Sequence, residues 1–483
     1  MHLVKQPSVS IEKNIFLKGI GWNSLGISFR LLRFAYLIVF ARLLGIHAFG
    51  QYILFFSIVE AASKIATCGL EYGSIKYFQI QYKNQPNFHI STALFKILPL
   101  CMLTSIAVML LVGGLAWVFF HQHLLLEDFL FYSLLIPLLG TLNFLSIVSR
   151  ATLDMRYENI FRNCIETLGI FVFGYVFLNQ APLIISLFKA HACAACLSIT
   201  CFLWALAKNY RPSPLKISWR MLFQESYVMG LVAFLSFTRS RVDYFLLGKF
   251  LSFSQLAIYS MAIQVIGIMG KLNSIIVPIA GPLVHSIYIK KEPEKLNAMA
   301  SGLLKLSMIA ICMSSAVLFF FYQDILILYG KSFVLDKYIF SLLLIAQMIF
   351  IFFGVQEQFL LYTSHQKSLL GISVLTIALM ALSFSIAVPS FGLHGAAWSV
   401  LIVYALYAAA LTYTLNQKLG LGILSKSLLN LLMAFSLSSM IALAASRLFH
   451  LNKIFLCMVF LSSFSSFAWL AMQYRIIFNK SHS

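Results

Sequence analysis

STALFKILPLCMLTSIAVMLLVGGLAWVFF, residues 91–120, carries one charge, Lys96, in thirty positions. A helix rises about 1.5 Å per residue and the hydrocarbon core of a bilayer is about 30 Å thick, so a run of this length crosses it with residues to spare. The pattern recurs from end to end. Apolar runs fall at 19–41, 50–75, 91–120, 129–149, 159–178, 182–207, 219–247, 255–285, 298–322, 338–363, 368–388, 393–415, 427–446 and 454–474, which makes fourteen predicted spans in 483 residues. Spans of about 20 residues take up roughly 280 and leave roughly 13 for each loop or tail. No loop of that size houses a folded domain, which excludes a fused nucleotide-binding domain and the large outer loop of an extramembrane polymerase or ligase.

Composition agrees: 61% of the residues are hydrophobic and 10% charged, against about a quarter charged in a soluble domain. The formal charge of +20 is scattered between the spans rather than gathered into a stripe, so it reads as membrane topology and not as a nucleic-acid surface. Even-numbered loops and the two tails hold twenty Lys and Arg, odd-numbered loops six, which places both termini in the cytoplasm. The start, MHLVKQPSVSIEKN, lacks a compact apolar core with a small-residue cleavage site, so no cleaved signal is predicted and the first span is the insertion signal. All eight cysteines fall in predicted spans. Neither a disulfide framework nor a zinc site is expected there, and Cys193 and Cys196, a CxxC without a second pair, read as small apolar helix residues.

The densest basic and proline-rich break is KNYRPSPLKISW, 208–219, and the sequence repeats across it. A shift of 207 residues lays Arg42 on Lys249, Tyr52 on Tyr259 and Lys64 on Lys271, with Arg30 and Arg33 landing within two residues of Arg239 and Arg241. The expected fold is an all-α polytopic membrane protein. It comprises an N-terminal six-helix lobe at 1–207, a cytoplasmic linker at 208–218, a second six-helix lobe in parallel repeat at 219–415, and two additional helices with a tail at 416–483.

Three segments resemble a known family: ARLLGIHAFGQYILFFSIVEAA at 41–62, RVDYFLLGKFLSFSQLAIYSMAIQV at 241–265 and VPSFGLHGAAWSV at 388–400. The sequence is similar, over essentially its whole length, to the polysaccharide transporter or O-antigen flippase branch of the multidrug, oligosaccharidyl-lipid and polysaccharide exporter superfamily. That resemblance implies a two-lobe fold like that of the drug exporters and alternating access in the bacterial inner membrane. It implies a polyprenyl-diphosphate-linked oligosaccharide as substrate, with a polysaccharide polymerase and assembly proteins as partners. The first-span glycine and arginine signature of the lipid II flippases is absent. The alternative is a cation-coupled exporter of drugs or small metabolites with the same fold.

A charge at bilayer depth costs several kcal/mol unless it meets a partner or water. Nine basic residues fall within spans, and these are the candidates for contact with an anionic substrate. Arg30 sits eleven residues into the first span, Arg33 shares its face, and neither has an acid three or four residues away. A guanidinium pair suits a diphosphate, to which it offers two parallel hydrogen bonds; the competing reading pairs it with Glu60, Glu166 or Glu357 on another helix. Lys271 shares its face with Gly267 and Gln264 and no acid, whereas Lys64 lies between Glu60 and Glu71 and is expected to be neutralised locally. Arg239 is expected to pair with Asp243, which leaves Arg241, about 200° away around the helix, as the freer charge. The substrate-binding candidates are therefore Arg30, Arg33, Arg241, Lys271 and Lys64.

Lys96, Lys189 and Lys305 lie near span ends and read as snorkelling. Glu166 is expected to pair with Arg162 one turn earlier, and Glu357, between Gln356 and Gln358, has no local partner. Glu357, Glu60 and Asp243 are the ion-coupling candidates. His191 and His394 read as structural. No cofactor, metal or nucleic-acid partner is expected. The GKS at 330–332 lacks the glycine of a phosphate loop, and HExxH and GxSxG are absent, so catalysis is not expected either.

Overall fold

Apolar runs in lipid can satisfy their backbone hydrogen bonds only as helices or closed barrels, and these runs are too long for barrel strands. The computed structural model describes residues 9–70, 73–74, 77–78, 90–120, 126–146, 156–177, 183–208, 218–271, 283–285, 287–363, 365–421, 426–449 and 452–479; among them there is no strand. The first helical stretch, Val9–Ala66, is kinked at Gly45 into α1 (9–44) and α2 (46–66). Then follow α3 (Ile90–Phe120), α4 (Leu126–Leu145), α5 (Glu158–Phe177) and α6 (Leu183–Ala207). The seventh span, α7, is made of Trp219–Arg239 and Val242–Phe250 with a turn between them, and α8 (Phe253–Gly270) ends in a 3₁₀ turn. The remaining helices are α9 (Pro293–Ile327), α10 (Lys337–Tyr362), α11 (366–391), α12 (393–419), α13 (Lys426–Phe449) and α14 (Lys453–Asn479).

The described residues thus form fourteen helical rods, in line with the spans read from sequence. Two corners are set by glycines in the left-handed region, Gly45 at φ 73° and Gly392 at φ 55°, where a side chain is disfavoured. The shift of 207 residues lays Gly45 on Ser252. There the chain turns by a different device: Ser252 begins α8 with a capping box, its Oγ accepting from the Gln255 amide at 3.3 Å. The second helix ends earlier than its apolar run suggests, because Cys68 and Gly69 both adopt positive φ. The carbonyl of Ala66 freed by that ending accepts from Thr104 Oγ1 at 2.8 Å.

The faces turned outward are apolar. Leu110 on α3 is 68% exposed and Ile386 on α11 is 66% exposed. Many serines are instead buried and bond carbonyls of their own helices, as Ser105 does to Cys101 and Ser226 to Leu222, each at 2.7 Å. This inverts the distribution of a water-soluble protein and makes the chain a multi-pass membrane protein.

By internal packing the chain divides into two compact units, Met1–Arg241 and Val242–Ser483. In the first, Tyr77, Ala93, Ile97, Phe144, Phe202 and Leu222 share one buried cluster. Helix Trp219–Arg239 belongs to this unit, its Gly230 lying directly against Gly69. In the second, α10 packs on the α11–α12 pair, and α13 and α14 pack on each other and on α9.

A Cβ placed on Gly69 would come within 2.6 Å of Gly230 Cα, whereas one placed on Gly45 meets nothing within 4 Å. Both glycines have φ of 73°. Gly45→Ala is therefore expected to cost only the left-handed strain, about 1 kcal/mol, and Gly69→Ala about 3 kcal/mol because steric overlap is added. Thermal unfolding of the purified variants in detergent tests this, and equal losses would show that the Gly69–Gly230 contact contributes nothing.

Candidate functional site

The chemistry of the first unit is concentrated where α1, α2, α5 and α6 meet. Arg33 Nη2 on α1 donates to Glu166 Oε2 on α5 at 3.3 Å. The acid is buried, its side chain 8% exposed, while the Arg33 side chain as a whole is 36% exposed. A buried carboxylate therefore anchors a partly exposed arginine, whose Nε is buried and has no hydrogen-bond partner among the described residues. Beside them Tyr52 and His191 share a 2.9 Å hydrogen bond inside a ring cluster with Tyr36 and Phe56. Both Tyr52 and His191 are buried, and among the described residues no three His, Cys, Asp or Glu side chains converge on a point that could hold a metal. His191 is a hydrogen-bonded core histidine.

Two expectations about charge pairs need correction. Glu166 turns to Arg33 rather than to Arg162, although Arg162 lies one helical turn before it. The reason is local: Glu158–Ile165 is a π-helix, whose i→i+5 pattern shifts residues off the i, i+4 line. Arg162 Nη2 instead donates to Asn143 Oδ1 at 2.5 Å and its Nη1 to Ser146 Oγ at 3.4 Å, both residues lying near the end of α4. Arg241, expected to be the freer charge of its helix, has its Nη2 3.8 Å from Glu60 Oε2. Glu357, expected to have no local partner, accepts from Tyr407 Oη on a helix distant in sequence at 2.6 Å. Residues on separate helices cannot be paired from sequence spacing.

The other candidates lie apart. Lys64 Nζ donates to Asn143 Oδ1 at 3.3 Å, the oxygen that also receives Arg162; Glu71, expected beside Lys64, is outside the described residues. Arg30 lies on α1, but its side chain is outside the described residues too. In the second unit Asp243 is buried at the start of Val242–Phe250. It accepts from Tyr259 Oη at 2.8 Å and from the Tyr244 amide at 3.0 Å. Tyr52 and Tyr259, matched by the 207-residue shift, are both fully buried, and each hydrogen-bonds a titratable side chain. Glu357 is buried on α10, and Lys271 is partly exposed just past the 3₁₀ turn of α8.

Of the residues read as snorkelling, Lys96 is exposed and Lys189 Nζ stands 5.3 Å from the centre of the Phe131 ring. Sequence reasoning missed Asn143, Tyr407 and the role of Arg162. The one visible signal was the polar run ENIFRNCIE at the start of the fifth span, which is the segment that forms the π-helix.

Comparison with solved structures places this fold. The lipid II flippase MurJ in an inward closed conformation matches with a TM-score of 0.67 at 13% identity, covering 94% of this chain and 100% of that one. An inward-facing MATE family multidrug resistance transporter of the MOP superfamily matches with a TM-score of 0.66 at 12% identity, covering 80% and 94%. A MOP superfamily transporter from Pyrococcus furiosus, described as having a binding pocket of reversed polarity, matches at 0.64 and 13%, covering 84% and 96%. At these identities the likeness is one of fold. No curated protein matches the sequence significantly. The family of polysaccharide biosynthesis proteins matches over residues 16–284, more than half of the chain. The chain is a MATE-like membrane protein and belongs to the polysaccharide biosynthesis protein family.

Proposed function

We propose that the protein is a flippase that moves a polyprenyl-diphosphate-linked oligosaccharide from the inner to the outer leaflet of the bacterial inner membrane by alternating access, in the synthesis of a surface polysaccharide. Both termini face the cytoplasm, and a polysaccharide polymerase and assembly proteins act on the delivered substrate. The observation that carries this reading is Arg33, a partly exposed arginine that is backed by the buried carboxylate of Glu166 and has a buried Nε without a hydrogen-bond partner among the described residues. Such a cation is held in place by the acid behind it and keeps donors for an incoming diphosphate oxygen. Membership in the polysaccharide biosynthesis family supports a glycan cargo. A fold shared with a lipid II flippase suits a lipid-linked one. The second reading, a cation-coupled exporter of drugs or small metabolites, is favoured by the buried carboxylates Asp243 and Glu357, each bonded to a tyrosine hydroxyl.

The two readings differ in the sign of charge that the pathway needs. A flippase predicts that Arg33→Gln and Lys271→Gln each reduce transport more than tenfold, about 1.4 kcal/mol, while Lys271→Arg retains most of it because the cation is kept. A cation exporter predicts unchanged or improved efflux from Lys271→Gln, since like charge in a low-dielectric pathway repels the cargo. The measurement is complementation of a flippase-deficient strain by matched amounts of each variant, scored by surface polysaccharide. Wild-type complementation by Lys271→Gln would remove Lys271 as a substrate contact.

Topology is tested separately. A reporter fused after Lys418 should remain cytoplasmic and one inserted at Lys331, in the turn between α9 and α10, should be outside. Finding both on one side would reject the orientation.

A further inference from the structure

Glu166 closes the π-helix with its backbone and holds Arg33 with its side chain. Its amide N–H donates to the carbonyl of Phe161, five residues earlier, which makes the last bond of the π-helical segment Glu158–Ile165. The hydroxyl of Ser198 on α6 donates to the same carbonyl, and within the segment buried Asn163 donates to buried Asn159 at 2.8 Å. Helix α1 rests directly on this stretch, since a side chain at Gly26 would overlap Asn159. The residue that ends the irregular stretch is thus the one that meets Arg33.

The ion pair it makes is loose. A carboxylate and a guanidinium usually approach to about 2.7–2.9 Å, often through two parallel hydrogen bonds. Here Nη2 of Arg33 stands at 3.3 Å, and Nε is buried without a hydrogen-bond partner among the described residues. A second guanidinium lies on the same helix as the acid. Arg162 now donates to the neutral oxygens of Asn143 and Ser146, at 2.5 and 3.4 Å. In an α-helical register the Glu166 amide would bond the carbonyl of Arg162 and the Ile165 amide would take that of Phe161, so no peptide group is left without a partner. The side chains of Arg162 and Glu166, four residues apart, would then face each other. One register change alters both the backbone bond of Glu166 and its choice of cation.

We propose that Glu166 alternates between Arg33 and Arg162 as α5 passes between π-helical and α-helical register, so that Arg33 is held in the first state and released to a diphosphate oxygen in the second. Arg162 is then a positioning residue, which sets the anion affinity of Arg33 through Glu166 and does not touch the substrate. The diphosphate rests on the flippase reading, whereas the exchange of partners does not.

A double-mutant cycle read by isothermal titration tests the proposal, with inorganic pyrophosphate added to the purified full-length protein in detergent. Arg162→Gln should weaken binding about fivefold, because Glu166 then stays on Arg33, and Glu166→Gln should strengthen it by about the same factor. In the Glu166→Gln background Arg162→Gln should have no further effect. Arg162→Lys, which can still pair with Glu166, should retain most of the wild-type affinity. An equal effect of Arg162→Gln in both backgrounds would show that Arg162 acts on the anion directly and would overturn the exchange. Thermal unfolding without ligand gives an independent reading. Glu166 keeps a partner when Arg33 or Arg162 alone is changed to Gln and loses both in the double variant, whose midpoint should fall by more than the sum of the single losses. Additive losses would overturn the proposal whether or not pyrophosphate binds. Losses beyond the sum in a protein that binds no pyrophosphate would uphold the exchange and count against the flippase reading of Arg33.

Discussion

In a hydrocarbon layer no water is present to satisfy a peptide group, so each backbone N–H and C=O must find its partner within the chain. This constraint explains why the described residues are mostly helical and include no strand, and it makes every departure from the α-helix conspicuous. At the end of α2 the carbonyl of Ala66 is taken up by Thr104. In the π-helix of α5 the carbonyl of Phe161 is taken up by the hydroxyl of Ser198 on α6, and Asn163 donates to Asn159 at 2.8 Å along its own helix. Where the helical ladder loosens, side chains complete it, and these are also the places where polar residues enter the membrane core.

The same economy governs charge. An ionised side chain at depth is stable only with a partner or with water, and the described charges of the first unit obey this by pairing across helices. Glu166 holds Arg33, Glu60 stands beside Arg241, and Asn143 receives both Lys64 and Arg162. In the second unit the pattern is different, with the buried carboxylates Asp243 and Glu357 each bonded to a tyrosine hydroxyl.

Tyr52 and Tyr259 connect the two patterns. Related by the 207-residue shift, each is fully buried on the helix that follows a corner, the first made by Gly45 and the second by the Ser252 cap. One bonds His191 and the other Asp243. The two tyrosines are alike in burial and differ in partner, so the electrostatics around them differ.

The number and approximate limits of the helices were legible in the amino-acid sequence, because the cost of placing polar backbone and side chains in lipid acts locally, on runs of about 20 residues. The break between α11 and α12 at Gly392 was within reach of the same local rules. What only the tertiary structure decided was the partner of each charge. Spacing predicted Arg162 with Glu166, but a π-helical segment breaks the i, i+4 register on which that rule depends, and Glu166 instead meets Arg33 from a helix more than a hundred residues earlier. Arg241 with Glu60 and Tyr407 with Glu357 are likewise contacts between helices distant in sequence. Apolarity is a property of a segment and can be read along it; electrostatic pairing is a property of positions in space, set by which helix faces pack together.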